Sequence, residues 1–427
     1  MSGVLINHVS GYLRNQLTVN LNEGININRE AVKATPPDHP NLAGWLNNLG
    51  NRLGDRFSRT GAMADLEEAI KVGRQTVEAT PPDYPNLAGT LNNLGNRLGD
   101  RYSRTGAMAD LEEAKHHFIS FLRHFTSVIS NRLAAGRHFL STPGVLGDKE
   151  AYAIAKETTD MIPLLSTRSL RNSDRRHLLS QAAGIASDAA AIALHSDKGP
   201  AAAIKLLETG RAIIAGFLFE QSDLAALKRK HPDLAQSFVD LRDLLDAPVP
   251  NHSLDTTQQQ AMAIRAEANR RRDAQSRLPE LLDEIRSNHG FDRFLLYASE
   301  ADMVEAARYG PIVVLNVSLH RCDALVIQHS DAGSGVSGIK LLELPHLSLN
   351  DLDEHAKNPG DPNTLEWLWN SIVHPLLDFL GFNEAPPSNQ WPHIWWIPTG
   401  ILYHFPLHAA GYHRKRTGET ALDRVVS

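Results

Sequence analysis

The feature that most constrains this chain is an internal copy. Residues 40–69 read PNLAGWLNNLGNRLGDRFSRTGAMADLEEA, and residues 85–114 read PNLAGTLNNLGNRLGDRYSRTGAMADLEEA. Trp45/Thr90 and Phe57/Tyr102 are the only differences. The offset is 85 − 40 = 45, and ATPPDHP at 34–40 recurs as ATPPDYP at 79–85. A fixed period of this size belongs to stacked supersecondary units, each burying its apolar face only against its neighbours.

Each unit reads as two helices. Leu42, Leu46, Leu49 and Leu53 recur along one face of a 3.6-residue period. The SRTGAM segment then punctuates the unit. The second helix carries Leu66, Ala69, Ile70, Gly73 and Val77 on one face, with Asp65, Glu67 and Glu68 early, where acids suit the helix dipole. Pro81-Pro82 ends it. Residues 21–34 align with the second helix at the same offset, Arg29 with Arg74 and Val32 with Val77. They form a third, eroded copy whose first helix would begin before residue 1.

Leu94-Gly95, the small Ala114 and the closing Pro81-Pro82 resemble a tetratricopeptide repeat. The usual period is about 34 residues; this longer one is similar to that of kinesin-light-chain-like repeats. The resemblance implies an α-helical solenoid over residues 1–125 that takes a protein or peptide partner in a concave groove. Asn47, Asn48, Asn51 and Arg52, with Asn92, Asn93, Asn96 and Arg97 in the second copy, are the candidate groove residues. A solvated helix face is the competing reading, and near-identity of the copies is equally the mark of a recent duplication.

Length and composition set the rest of the frame. A chain of 427 residues suits two to four domains of roughly 100–200 residues each. Hydrophobic content of 42% and charged content of 22% are those of a globular chain. A net charge of −6 gives no general pull toward nucleic acid or anionic membrane. Cys322 is the one cysteine, so no internal disulfide forms. Residues 1–13 lack the charged and apolar regions of a signal peptide. No apolar run reaches the roughly 18 residues of a membrane helix; AAGIASDAAAIAL is broken by Asp188. The expectation is a cytoplasmic protein with no nucleic-acid partner, no membrane contact and no cofactor, its oligomeric state open.

Residues 126–285 read as a helical region. KGPAAAIKLLETGR resembles a further repeat-like hairpin, turning at Asp197-Lys198-Gly199-Pro200. DLAALKRKHPDLAQSFVDLRDLLD reads as one amphipathic helix, NHSLDTTQQQ as an exposed linker, and Ala261–Gly290 as a long charged helix. Its Arg270-Arg271-Arg272 run is read as a solvated face rather than a phosphate contact. His116, His117, His124 and His138 share no metal-binding spacing.

From about residue 286 the pattern changes to α/β. FDRFLLYA, PIVVLNVS, DALVIQHS, IKLLELP and HIWWIP read as strands, ADMVEAARYG and TLEWLWNSIVHPLLDFLGF as helices. Gly333, Gly335 and Gly338 spell GxGxxG, but strand follows where a dinucleotide site needs a helix, so this is a hairpin loop. No GxSxG, GxxxxGK[ST] or HExxH motif occurs.

Helical repeats, then these strands, then HIWWIPTGILYHFPLHAAGYH resemble the CHAT family, caspase-like domains that follow tetratricopeptide repeats, most of all its fungal form. Ile397–Gly411 is the most specific piece. The resemblance implies a Cys–His dyad, the histidine in a His-Gly pair after one strand and the cysteine after the next, both downstream of that segment. No His-Gly follows residue 411; His289-Gly290 precedes the domain's first strand. Cys322, with His320 two residues before it, is read as a packing cysteine, and His404 and His408 as structural.

The expected fold is therefore α + α/β. A repeat solenoid (1–125) and a helical region (126–285) precede the front part of a caspase-like domain (286–427), with an open strand edge and an uncovered apolar face. The expected function is an interaction scaffold joined to a catalytically incompetent caspase-like domain, with no catalytic residue and no metal ligand. The alternative is a fragment of a cysteine endopeptidase whose dyad lies beyond residue 427.

Overall fold

The structure, a computed structural model, describes residues 20–426 apart from 40, 82–83, 85, 166–171, 248–257, 297, 330–337, 386–390 and 415–418. Internal packing groups the chain into two compact units. One holds Met1–Thr142 with Phe238–Leu281, the other Pro143–Ser237 with Leu282–Ser427.

The first unit opens on α1 (20–34), then α2 (Leu42–Thr60), α3 (Met63–Ala79), α4 (Asn86–Thr105), α5 (Met108–Leu122) and α6 (Ile129–Leu140). The helical pairs lie where the leucine spacing places them. Leu46, Leu49 and Leu53 of α2 pack with Ile25 of α1 and with Ala69 and Val72 of α3. Gly61 stops α2: its φ of 70° is left-handed, and its N–H donates to Phe57 O at 2.7 Å. Gly106 does the same for α4. Thr80, extended, ends α3 ahead of Pro81.

Two sequence readings change in the middle of the chain. The DLAALKRKHPDLAQ stretch is two helices: α9 (Gly199–Lys230) ends before α10 (Pro232–Asp246), because proline at 232 has no N–H to continue the ladder. The NHSLDTT part of the expected linker lies outside the described residues, and the glutamines after it open α11 (Gln258–Arg286). Of the arginine run of α11, Arg270 and Arg272 are exposed, as a solvated face requires, and Arg271 is the exception. Arg271 is buried and donates to Leu245 O and, at 2.6 Å, to Ala247 O, carbonyls at the end of α10, where the helix itself supplies no donor. The Arg272 guanidinium lies 4.2 Å from the centre of the Phe125 ring.

In the second unit, α7 (Ala151–Asp160) and α8 (Asn172–His195) precede α9. Asp197 and Gly199, both at positive φ, make the expected turn between α8 and α9. FDRFLLYA is not a strand. Its backbone closes local turns, Phe294 N to Phe291 O and Leu296 N to Arg293 O, and Arg286 Nε donates to Phe294 O at 3.1 Å. After α12 (Glu300–Ala306), four strands form a small mixed sheet: β1 (Ile312–Val317), β2 (Cys322–Ile327), β3 (Ile339–Glu343) and β4 (Trp395–Pro398). The order is β3-β2-β1-β4, antiparallel except for β1 with β4. The crossover to β4 carries α13 (Leu349–His355), α14 (Pro362–Leu368) and α15 (His374–Leu380), the last two joined by a π turn at Trp369–Val373.

Alternation decides the two sheet faces. Val313, Leu315 and Val317 pack with Leu368, Trp369, Ile372 and Leu376, while Phe379, expected on the same stripe, stays exposed. On the other face, buried Asn316 donates to Ser187 O at 3.0 Å, and Ser318 Oγ donates to Asp188 Oδ1 at 2.7 Å. Asp188 thus interrupts an apolar helix to meet β1. Just before β4, Val426 pairs with His393 in a parallel bridge. Trp395 is 49% exposed. Among the described residues, no helix is long and apolar enough to cross a membrane.

Candidate functional site

The asparagine- and arginine-rich positions fall on the first helices of the two complete repeats, and the structure joins three of them directly. Asn51 Oδ1 accepts from Arg97 Nη2 at 2.7 Å and from Asn93 Nδ2 at 2.9 Å. This bridges α2 and α4. Asn47, Asn48, Asn92 and Asn96 are half-buried along the same helices, and Arg52 is exposed. The side-chain oxygen of Asn92 is buried and, among the described residues, accepts no hydrogen bond. Most buried polar atoms find a partner, so this oxygen is an exception.

Arg97 departs from an exposed groove position. It is only 8% exposed and lies over Gly50, Gly54 and Gly73, where added Cβ atoms would come within 3.0, 3.2 and 3.5 Å of its head group. Its Nη1 also reaches toward Ala69 O at 3.5 Å. Among the described residues no carboxylate bonds it, and burial pushes its pKa down to about 10, against the pull of Asp55 and Asp100. Glycines and amides on all sides make room for a cation that ties one repeat to the next.

The charge pattern holds two further devices that the candidate residues did not include. Within each repeat, Arg56 forks onto Asp65 and Arg101 onto Asp110, both pairs with bonds of 2.7 and 2.5 Å. Between repeats, Arg29 forks onto Glu68 (3.0 and 2.5 Å) and Arg74 onto Glu113 (2.8 and 2.6 Å). Bidentate geometry of this kind fixes orientation as well as distance. The signal was in the sequence as an arginine and a glutamate 39 residues apart, each recurring at the offset of 45.

In the last third, Cys322 is buried and its thiol faces Ser318 O at 3.8 Å. Burial pushes the thiol pKa up, the opposite of what a nucleophilic thiolate needs. Its neighbour Asp323 is buried too, forked by Arg321, which also reaches Glu343. Among the described residues, no cluster of histidine, cysteine, aspartate and glutamate is arranged to hold a metal ion. Gly333 and Gly335 lie outside the described residues, and Gly338 leads into β3 with its carbonyl accepting from Gln328 N.

A family model for the tetratricopeptide repeat matches residues 42–83 and 87–115. No curated protein and no solved structure gives a significant match to the chain.

Proposed function

We propose that this chain binds a peptide segment of a protein partner along the first helices of its repeats, through Asn47, Asn48, Asn92 and Asn96, with Asn51, Asn93 and Arg97 holding the helices that present them. Tetratricopeptide repeats mark an interaction scaffold. The observation that carries the finer reading is the buried, unbonded side-chain oxygen of Asn92 beside half-buried amides of the same row. Primary amides both donate and accept, so a row of them suits an extended peptide backbone. The test is selection of linear peptides from a random library on the immobilised full chain. Selected peptides should lose about tenfold or more in affinity to the N92A/N96A variant, about 1.4 kcal/mol. Peptides that bind wild type and variant alike would remove the groove from the proposal.

On the same reading, residues 286–427 are the front part of a CHAT-type caspase-like domain without its dyad, and residues 126–285 connect it to the repeats. What supports this is the crossover from an antiparallel β1–β3 set to a parallel β4, followed by the Ile397–Gly411 segment. The inert surroundings of Cys322 support a chain that performs no peptide cleavage of its own.

A further inference from the structure

The two inter-repeat rungs differ at one place. One turn after Glu68 stands Val72, 6% exposed and part of the core between α1, α2 and α3. One turn after Glu113, at the same position of the next copy, stands His117. Its side chain is 12% exposed, and neither ring nitrogen has a hydrogen-bond partner among the described residues. Its Nε2 lies 3.6 Å from Glu113 Oε1, just beyond hydrogen-bond reach, and that oxygen already accepts from Arg74 Nε. A valine here would be an ordinary core residue. A histidine with two idle nitrogens, against a carboxylate already engaged by an arginine, is a group with two states of different fit.

We propose that His117 makes the joint between α3 and α5 acid-sensitive: neutral, it packs as the valine of the other rung does, and protonated, it competes with Arg74 for Glu113 and loosens that joint alone. The charged and titratable groups that face it are Glu113 and His116 on α5 and Arg74 on α3. Glu113 attracts the imidazolium, while Arg74 and His116, whose ring centre is 5.8 Å away, repel it. Burial holds the pKa of His117 below its ordinary value. The folded state therefore binds this proton less tightly than the unfolded chain does. The stabilisation is complete above about pH 6.5 and is lost as pH falls through that value.

Thermal unfolding of the full chain at about pH 7.5 and about pH 5.5 tests this. His117→Val places in the second rung the residue that the first rung has. Wild type should lose about 2–4 °C more than H117V on acidification, and V72H, which installs the device in the first rung, should lose more than wild type. Equal losses in wild type and H117V would overturn the proposal. So would a His117 imidazole that titrates, by NMR, at or above the value of a solvated histidine.

Discussion

Arg52 and Arg97 sit in identical stretches, LNNLGNRLGDR at 46–56 and 91–101, yet one is exposed and the other buried. Among the described residues, Arg52 has only α1 on its preceding side, where it lies along Gly24. Arg97 has a whole helical pair there, α2 and α3, whose three glycines leave a crevice for its head group. A repeat residue therefore takes its role from its place in the stack as much as from its own sequence.

The largest break in this comparison should come from truncating both arginines. Arg97→Ala empties the crevice and strips Asn51 Oδ1 of a donor, and should cost about 2–3 kcal/mol in urea unfolding. Arg52→Ala should stay within about 0.5 kcal/mol. Equal costs would mean that the crevice does not distinguish the copies. Replacing Arg97 by Met, apolar and of similar reach, should recover most of the loss, because a buried cation without a carboxylate has its desolvation to offset.

Gly50 and Gly95 form a second matched pair. A Cβ on Gly95 would meet the Phe118 ring at 2.7 Å, whereas one on Gly50 would meet the movable end of Arg97 at 3.0 Å. Gly95→Ala should destabilise by about 1–2 kcal/mol despite alanine's better helix propensity. For Gly50→Ala the two effects should nearly cancel. The cause is one substitution between the copies: Gly73 in α3 is replaced by Phe118 in α5. A thermal midpoint for each variant is enough to rank them.

A small effect should come from the rungs. Arg74→Ala should cost about 0.5 kcal/mol, since the pair is half-exposed and screened. Its pH dependence has a definite sign. Arg74 holds the Glu113 carboxyl below the usual carboxylate range. The rung's contribution is thus present above about pH 4.3 and fades as pH falls through the lowered value of Glu113. Wild type and R74A should converge at acid pH; a constant gap would mean that the arginine acts through packing alone.

Much of the first unit was legible because a 45-residue offset acts as an internal alignment. It marks the helix pairs, the turn at Gly61 and the leucine stripe. The strands PIVVLNVS, DALVIQHS and IKLLELP were legible as short apolar runs. FDRFLLYA carries the same composition and misleads, because its carbonyls and N–H groups close on one another and on Arg286 rather than on a neighbouring strand. Of the candidate groove, the residues were visible but their division was not: nothing local separates Arg97, which braces the helices, from Asn92, whose buried side-chain oxygen accepts no hydrogen bond among the described residues.

The sequence alone determined the repeat, its period and its two-helix unit, since these follow from spacing, glycine and proline. The tertiary structure decided which copies of identical residues are buried, that Arg271 closes α10, that Asp188 meets Ser318, and that burial raises the pKa of the Cys322 thiol. Each of these depends on what a distant segment brings within about 3–4 Å, the range over which hydrogen bonds and packing act.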